Sequence, residues 1–159
     1  MWRWTLKLST YDNEYLKCHW GYLESLTTIC VCTNCSVIAG GNNNCINTTC
    51  HKNFIGGGEA NDILGTKGCH TIGGGSVNII NTTGNKGTIV GGGGNCLTCN
   101  VENSTIGGGA GNKICRTSGF DYGSTIAGGA FNCLIGSTCW GFIGGGSCNT
   151  GSAPNVVVA

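Results

Sequence analysis

Isoleucine followed by a small residue and two glycines recurs at a fixed interval: Ile38, Ile55, Ile72, Ile89 and Ile106 are each 17 residues apart, Ile126 follows after 20 and Ile143 after 17 again. With the isoleucine as position zero, +1 is Ala39, Gly56, Gly73, Val90, Gly107, Ala127 or Gly144, and +2 and +3 are glycine in all seven copies. Position +6 is always asparagine: Asn44, Asn61, Asn78, Asn95, Asn112, Asn132 and Asn149. Position +8 is Ile46, Ile63, Ile80, Leu97, Ile114 and Leu134, with Gly151 in the last copy. Self-similarity at a fixed period governs the fold before local propensities do.

The period excludes two other readings of the glycine runs. A phosphate-binding loop needs one Gly-rich turn between strand and helix, closed by Lys-Ser or Lys-Thr, and no run here is followed by such a pair. A flexible linker has no reason to hold Ile, Asn and Ile at fixed spacing.

Seventeen residues are too few for a leucine-rich or helical repeat, but they accommodate two short strands and two tight turns. One strand centres on position zero and the other on +8, and the glycines occupy the first turn. The fold expected is all-β: a parallel β-solenoid of seven coils, with Ile38, Ile55, Ile72, Ile89, Ile106, Ile126 and Ile143 stacked in the core. The seven +6 asparagines stack in a line, each amide donating to the carbonyl of the next. Such a core is thin, and single coils cannot stabilise themselves. Lateral association is therefore expected, with a trimer as the natural arrangement for a rod.

The chain divides into a non-repetitive segment over 1–34, the repeat rod over 35–151 and a short C-terminal tail over 152–159. The first segment holds three of the four tryptophans, Trp2, Trp4 and Trp20. Its alternating stretch Trp2–Leu8 reads as a strand, and Asp12-Asn13 as a turn. It is expected to cap the open end of the stack, with attachment to a partner as the alternative.

Charge and hydropathy remove further classes. Eight basic and seven acidic residues leave a net charge of +1, with no basic footprint for nucleic acid. No apolar stretch approaches the ~20 residues of a membrane span. Thirteen cysteines are near disulfide-scaffold density, but the start shows no signal-peptide pattern, which favours mostly reduced thiols. For the same reason the glycosylation patterns at Asn34, Asn47, Asn81 and Asn103 carry no weight.

Cys30, Cys32 and Cys35, and Cys96 with Cys99, have knuckle-like spacing, but the two groups lie four coils apart and cannot share one ion. Cys69 and His70 are neighbours on a strand and point to opposite faces, so they make a poor nucleophile–base pair. Glu59, Asp62, Glu102 and Asp121 form no carboxylate pair. No catalytic, cofactor or metal residue is assigned. The three-residue insertion between Ile114 and Ile126 carries Phe120 and Tyr122, the best candidates for a ligand contact, although insertions in repeats are commonly tolerated loops.

Segments such as Ser104-Thr105-Ile106-Gly107-Gly108-Gly109-Ala110-Gly111-Asn112 resemble the head repeats of trimeric autotransporter adhesins, the YadA-like head, and related repeats of bacteriophage tail fibres. The resemblance covers residues 36 to about 151. It implies a left-handed parallel β-roll, three chains side by side and a role in surface attachment. The period of 17 is longer than the usual head repeat, and neither a secretion signal nor a C-terminal membrane anchor is evident. Both departures favour a viral fibre. The expectation is a structural fibre or adhesion protein on a virion or extracellular surface, associating with itself and contacting a cell-surface receptor or glycan. The alternative is a monomeric ice- or carbohydrate-binding solenoid: position −1 is threonine at Thr71, Thr88, Thr105 and Thr125, but Val37, Phe54 and Phe142 interrupt the array.

Overall fold

The computed structural model describes residues 28–30, 35–136 and 139–159; of 28–30, 117–118 and 120–121 it describes the backbone alone. The expected cap over 1–34 lies outside the described residues except for 28–30 and the strand Thr28–Cys30 they form.

Two parallel sheets of eight strands form the fold, and no helix occurs among the described residues. One wall consists of two-residue strands: Val37–Ile38, Phe54–Ile55, Thr71–Ile72, Thr88–Ile89, Thr105–Ile106, Thr125–Ile126, Phe142–Ile143 and Val157–Val158. The other runs through Thr28–Cys30, Cys45–Thr48, Asp62–Gly65, Ile79–Thr82, Cys96–Glu102, Lys113–Tyr122, Cys133–Gly136 and Thr150–Gly151. Each strand pairs with its equivalent one coil away, so Ile55 stacks between Ile38 and Ile72, and Ile63 between Ile46 and Ile80. A ladder of single bridges follows position +4, from Asn42 through Glu59, Ser76, Gly93, Ala110 and Ala130 to Ser147. The fold is a parallel β-solenoid of stacked 17-residue coils, as the repeat predicts. Eight strands at about 4.8 Å spacing give a stack roughly 34 Å long.

The sheets extend past the repeat at both ends. Ile29 pairs in register with Ile46, and Val158, placed by the sequence in a tail, stacks on Ile143. That strand escapes the pattern because Val158 follows Ile143 by 15 residues, not 17, and is not an isoleucine. The insertion makes a bulge: Arg116 pairs with Cys99, Asp121 pairs with Val101, and the register then resumes with Tyr122 on Glu102.

Each coil turns at two corners built in the same way. Position +5 is left-handed in every copy: Asn43, Ala60, Val77, Gly94, Gly111, Phe131 and Cys148 have φ between 51° and 65°. Position −3 is also left-handed, at Cys35, Lys52, Cys69, Lys86, Asn103, Gly123, Trp140 and Asn155, with φ between 53° and 71°. A left-handed residue upsets the regular alternation of backbone groups between the two neighbouring coils. The N–H of Val77 donates back to Glu59 O at 2.8 Å. The next N–H, of Asn78, also faces backward, where that carbonyl is already taken. The asparagine side chain of the preceding coil fills the gap: Oδ1 of Asn61, Asn78 and Asn95 accepts the N–H of Asn78, Asn95 and Asn112, each at 3.0 Å.

The amide nitrogen is used as fully. Asn78 Nδ2 donates to Gly74 O at 3.0 Å within its coil and to Gly92 O at 2.9 Å in the next. The ladder therefore runs chiefly from side chain to backbone. Direct amide-to-amide bonds, the form expected from the sequence, occur at 3.1 Å from Asn61 to Asn44, Asn78 to Asn61 and Asn149 to Asn132. The glycine at +3 belongs to this corner. Its φ lies between 82° and 94° in all seven copies, and a Cβ on Gly75 would stand 2.1 Å from Gly92 O and 2.9 Å from Asn78 Nδ2.

At the second corner the acceptor is position −2. Ser36 Oγ accepts the N–H of Asn53, Asn53 Oδ1 that of His70, His70 Nδ1 that of Gly87 and Ser124 Oγ that of Gly141, at 3.1 to 3.2 Å. Each coil is thus two half-coils of like design. In both, a left-handed residue is followed by an inward polar group, an outward residue and an inward aliphatic one. The zero and +8 aliphatics close the space between the walls, and twelve of them are fully buried. Burial of each contributes about 2 kcal/mol.

Replacing Asn78 with alanine removes the acceptor for Asn95 N–H and the donor to two carbonyls in a site with no solvent access. A loss of about 2–4 kcal/mol is expected, seen as a lower Tm by circular dichroism; an unchanged Tm would remove the ladder from the account of stability. Val77→Gly is expected to act in the opposite direction. Val77 is 53% exposed, and relief of a left-handed cost of roughly 1–2 kcal/mol exceeds the added chain entropy of glycine, about 0.5–1 kcal/mol. A raised denaturant midpoint is the expected reading, and a lowered one would show that the valine contacts outweigh the strain.

Candidate functional site

Positions −2 to +3 carry no Asp, Glu, Lys or Arg in any of the seven coils. These residues form the short-strand wall and its flanks, so the charges of the repeat all lie elsewhere on the surface. The wall presents outward only its −1 and +1 positions, because the zero residues point into the core. Its −1 column reads Val37, Phe54, Thr71, Thr88, Thr105, Thr125, Phe142, Val157 from one end of the sheet to the other.

The four threonines are consecutive and half-buried. They form an unbroken central row with steps of about 4.8 Å. Val37, Phe54, Phe142 and Val157 bracket them, with 40% to 68% exposure. The two phenyl rings lie along the wall rather than standing off it. Positions where a Cβ on Gly56 or Gly144 would sit are 3.4 and 3.5 Å from Cε1 of Phe54 and Phe142. The small +1 residue beside each phenylalanine makes room for the ring. The result is an uncharged face with a hydroxyl row at its centre and apolar groups at both ends.

The expected ligand-contact pair is only partly placed. Tyr122 is 42% exposed, and the Phe120 side chain lies outside the described residues. Trp140, which was not singled out from the sequence, is 65% exposed and stands one coil on, its backbone N–H donating to Tyr122 O at 2.9 Å. Its ring covers Gly123, where a Cβ would meet Trp140 Cζ3 at 2.4 Å. Phe131 covers Gly111 in the same manner at the other corner. A large side chain placed one coil after a corner glycine is the sequence signal for both.

The cysteines do not build a metal centre among the described residues, where no three His, Cys, Asp or Glu side chains converge. Cys32 of the first knuckle lies outside the described residues. Cys35, Cys50, Cys69, Cys96, Cys99, Cys115, Cys133 and Cys148 are free thiols. Cys69 is exposed and His70 buried, on opposite sides of the chain. No helix among the described residues is long and apolar enough to cross a membrane. Comparisons with protein-family models, curated proteins and solved structures found no match to the chain.

His70 is the ionisable member of the −2 column. It has no solvent exposure, its Nδ1 is committed to Gly87 N–H, and its Nε2 is enclosed without a well-formed hydrogen bond. Burial lowers its pKa from 6.5 to about 4, opposed in part by the Lys67 backbone. The unfolded chain therefore takes up a proton before the folded one does, and folding stability falls as pH drops from about 6.5 to about 4. The loss is about 3 kcal/mol across that window, with no contribution from this group above neutral pH. Asn53 performs the same task one coil earlier, so His70→Asn is expected to flatten the dependence. Urea midpoints measured between pH 4 and 7 test this, and an equal slope in both proteins would assign it to other groups.

Proposed function

We propose that this chain is a structural rod of a fibre, of the kind that holds a binding element away from a virion or cell surface, and that the rods associate side by side through the uncharged wall. The observation that carries the reading is that wall. Seven coils keep every formal charge off one continuous face, although charges occur at +4, +7 and the corners next to it. A solvated face has no reason to avoid charge, whereas a face packed against another copy does, because each buried charge needs a partner. The thin core points the same way. A trimer is the arrangement proposed, in line with the resemblance to adhesin heads and tail fibres, and the exposed Tyr122–Trp140 corner is the proposed place for contact with a receptor or glycan.

The threonine row favours a second reading, a monomeric ice- or carbohydrate-binding solenoid, because four hydroxyls at regular steps on a flat sheet match a repeating ligand surface. Phe54 and Phe142 limit the row to the centre of the wall.

The native mass in solution distinguishes the two. Light scattering with and without reductant is expected to give three times the chain mass in both conditions. A stable monomer would overturn side-by-side association and leave the threonine row as the better guide to function.

A further inference from the structure

Cys99 and Cys115 lie on neighbouring strands of the long-strand wall, at the foot of the insertion bulge. Their sulfurs are 2.6 Å apart. Register places Cys115 opposite Thr98 and Arg116 opposite Cys99, so the two cysteines are diagonal neighbours. Strand spacing and rise give a Cα separation of about 5.8 Å, within the roughly 4.4–6.8 Å that a disulfide requires. The other thiols on this wall are excluded by the same measure. Cys96 and Cys133 both pair with Lys113, two residues from Cys115 along the strand direction. That puts them about 8 Å from Cys115, beyond the reach of a bond without backbone movement.

The backbone at Cys99 is arranged for the pairing. The equivalent residue one coil earlier, Thr82, is buried. Cys99 instead adopts a left-handed conformation, φ 69°, and its side chain is exposed. A non-glycine residue in this region costs energy unless its surroundings hold it there. Thr82 does so, its hydroxyl oxygen lying 2.6 Å from Cys99 O and 2.9 Å from Val101 O, while Thr83 N–H donates to Cys99 O at 3.1 Å. The thiol is thus turned out beside Cys115 by contacts that do not involve sulfur.

We infer that Cys99 and Cys115 are a redox-active pair that closes to a disulfide between adjacent coils on meeting an oxidised small thiol of the glutathione disulfide class, and reopens under excess reduced thiol. The exposed Cys99 thiolate attacks the small disulfide, forming a mixed disulfide and releasing one small thiolate. The Cys115 thiolate then attacks the Cys99 sulfur and releases the second. The two protein thiols lose two electrons and two protons in all, and the small disulfide gains them. Burial, and the hydrogen shared with Cys115, hold the Cys99 pKa up, so closure quickens as pH rises. The bond would clamp the coil in which the insertion interrupts the ladder.

The test is a peptide map of the full chain after equilibration with glutathione disulfide, alkylation and tryptic digestion without reductant. Fragment 87–113 is expected to be joined to fragment 114–116, with fragmentation placing the bond at Cys99, and the intact chain is expected to lose the mass of two hydrogens. Excess dithiothreitol reverses both changes. Cys96→Ser should keep the link, and Cys99→Ser should abolish it. The wild-type map decides the matter even if a variant fails to fold. Fragment 114–116 recovered alkylated, recovered as a lasting mixed disulfide, or linked through Cys96 would each overturn the inference.

Discussion

The stack depends on one interaction, the acceptance of a backbone N–H by a side chain one coil below. A flat parallel sheet satisfies its own backbone groups, but a coil of 17 residues must turn twice, and each turn leaves a donor facing a carbonyl already in use. Buried and unpaired, such a donor costs about 1–3 kcal/mol. Ten such N–H groups are accepted along the stack, and their sum, roughly 10–30 kcal/mol, is as large as or larger than the 5–15 kcal/mol of net stability typical of a folded domain. Asparagine at +6 meets the need best because one amide accepts at Oδ1 and donates twice at Nδ2, so a single buried side chain makes one bond within its own coil and two to the next. At −2 the acceptor comes from Ser36, Asn53, His70 and Ser124.

The glycine run and the left-handed corner residues follow from that interaction. Asn78 can reach Gly92 O only if the +3 carbonyls lie close over one another, which excludes a Cβ at Gly75. The +5 residue is under a different constraint. Its side chain points to solvent, so the position accepts alanine, valine, phenylalanine or cysteine despite the backbone cost. The strain is distributed over seven coils and offset by the apolar columns between the walls.

This difference explains what could be read from the sequence. Positions 0, +3, +6 and +8 are constrained by side chain, and the same residue types return there, so the solenoid, its core and the asparagine column were legible from the period. Positions +5 and −3 are constrained by backbone alone, and Asn43, Ala60, Val77 and Phe131 share no chemistry that would mark them. The second polar column was present as Ser36, Asn53, His70, Ser104 and Ser124, each two residues before an isoleucine, but Gly87 and Gly141 interrupt it. Phe120 and Tyr122 were singled out because they sit in the insertion. Trp140 was not, because its role comes from Gly123 one coil below. The face free of charge was also there to be counted, but only the fold shows that those six positions form one wall.

The bulge at Arg116–Asp121 carries a broader consequence. Three additional residues leave the stack undisturbed: Tyr122 returns to register with Glu102, and Ile126 lands on Ile106. Height along the rod is therefore set by the corners, and the residue count between them is free to vary. The molecule behaves as a ruled scaffold on which a loop of arbitrary length can be hung at a chosen rung, in increments of about 4.8 Å, with its neighbours above and below unaware of it.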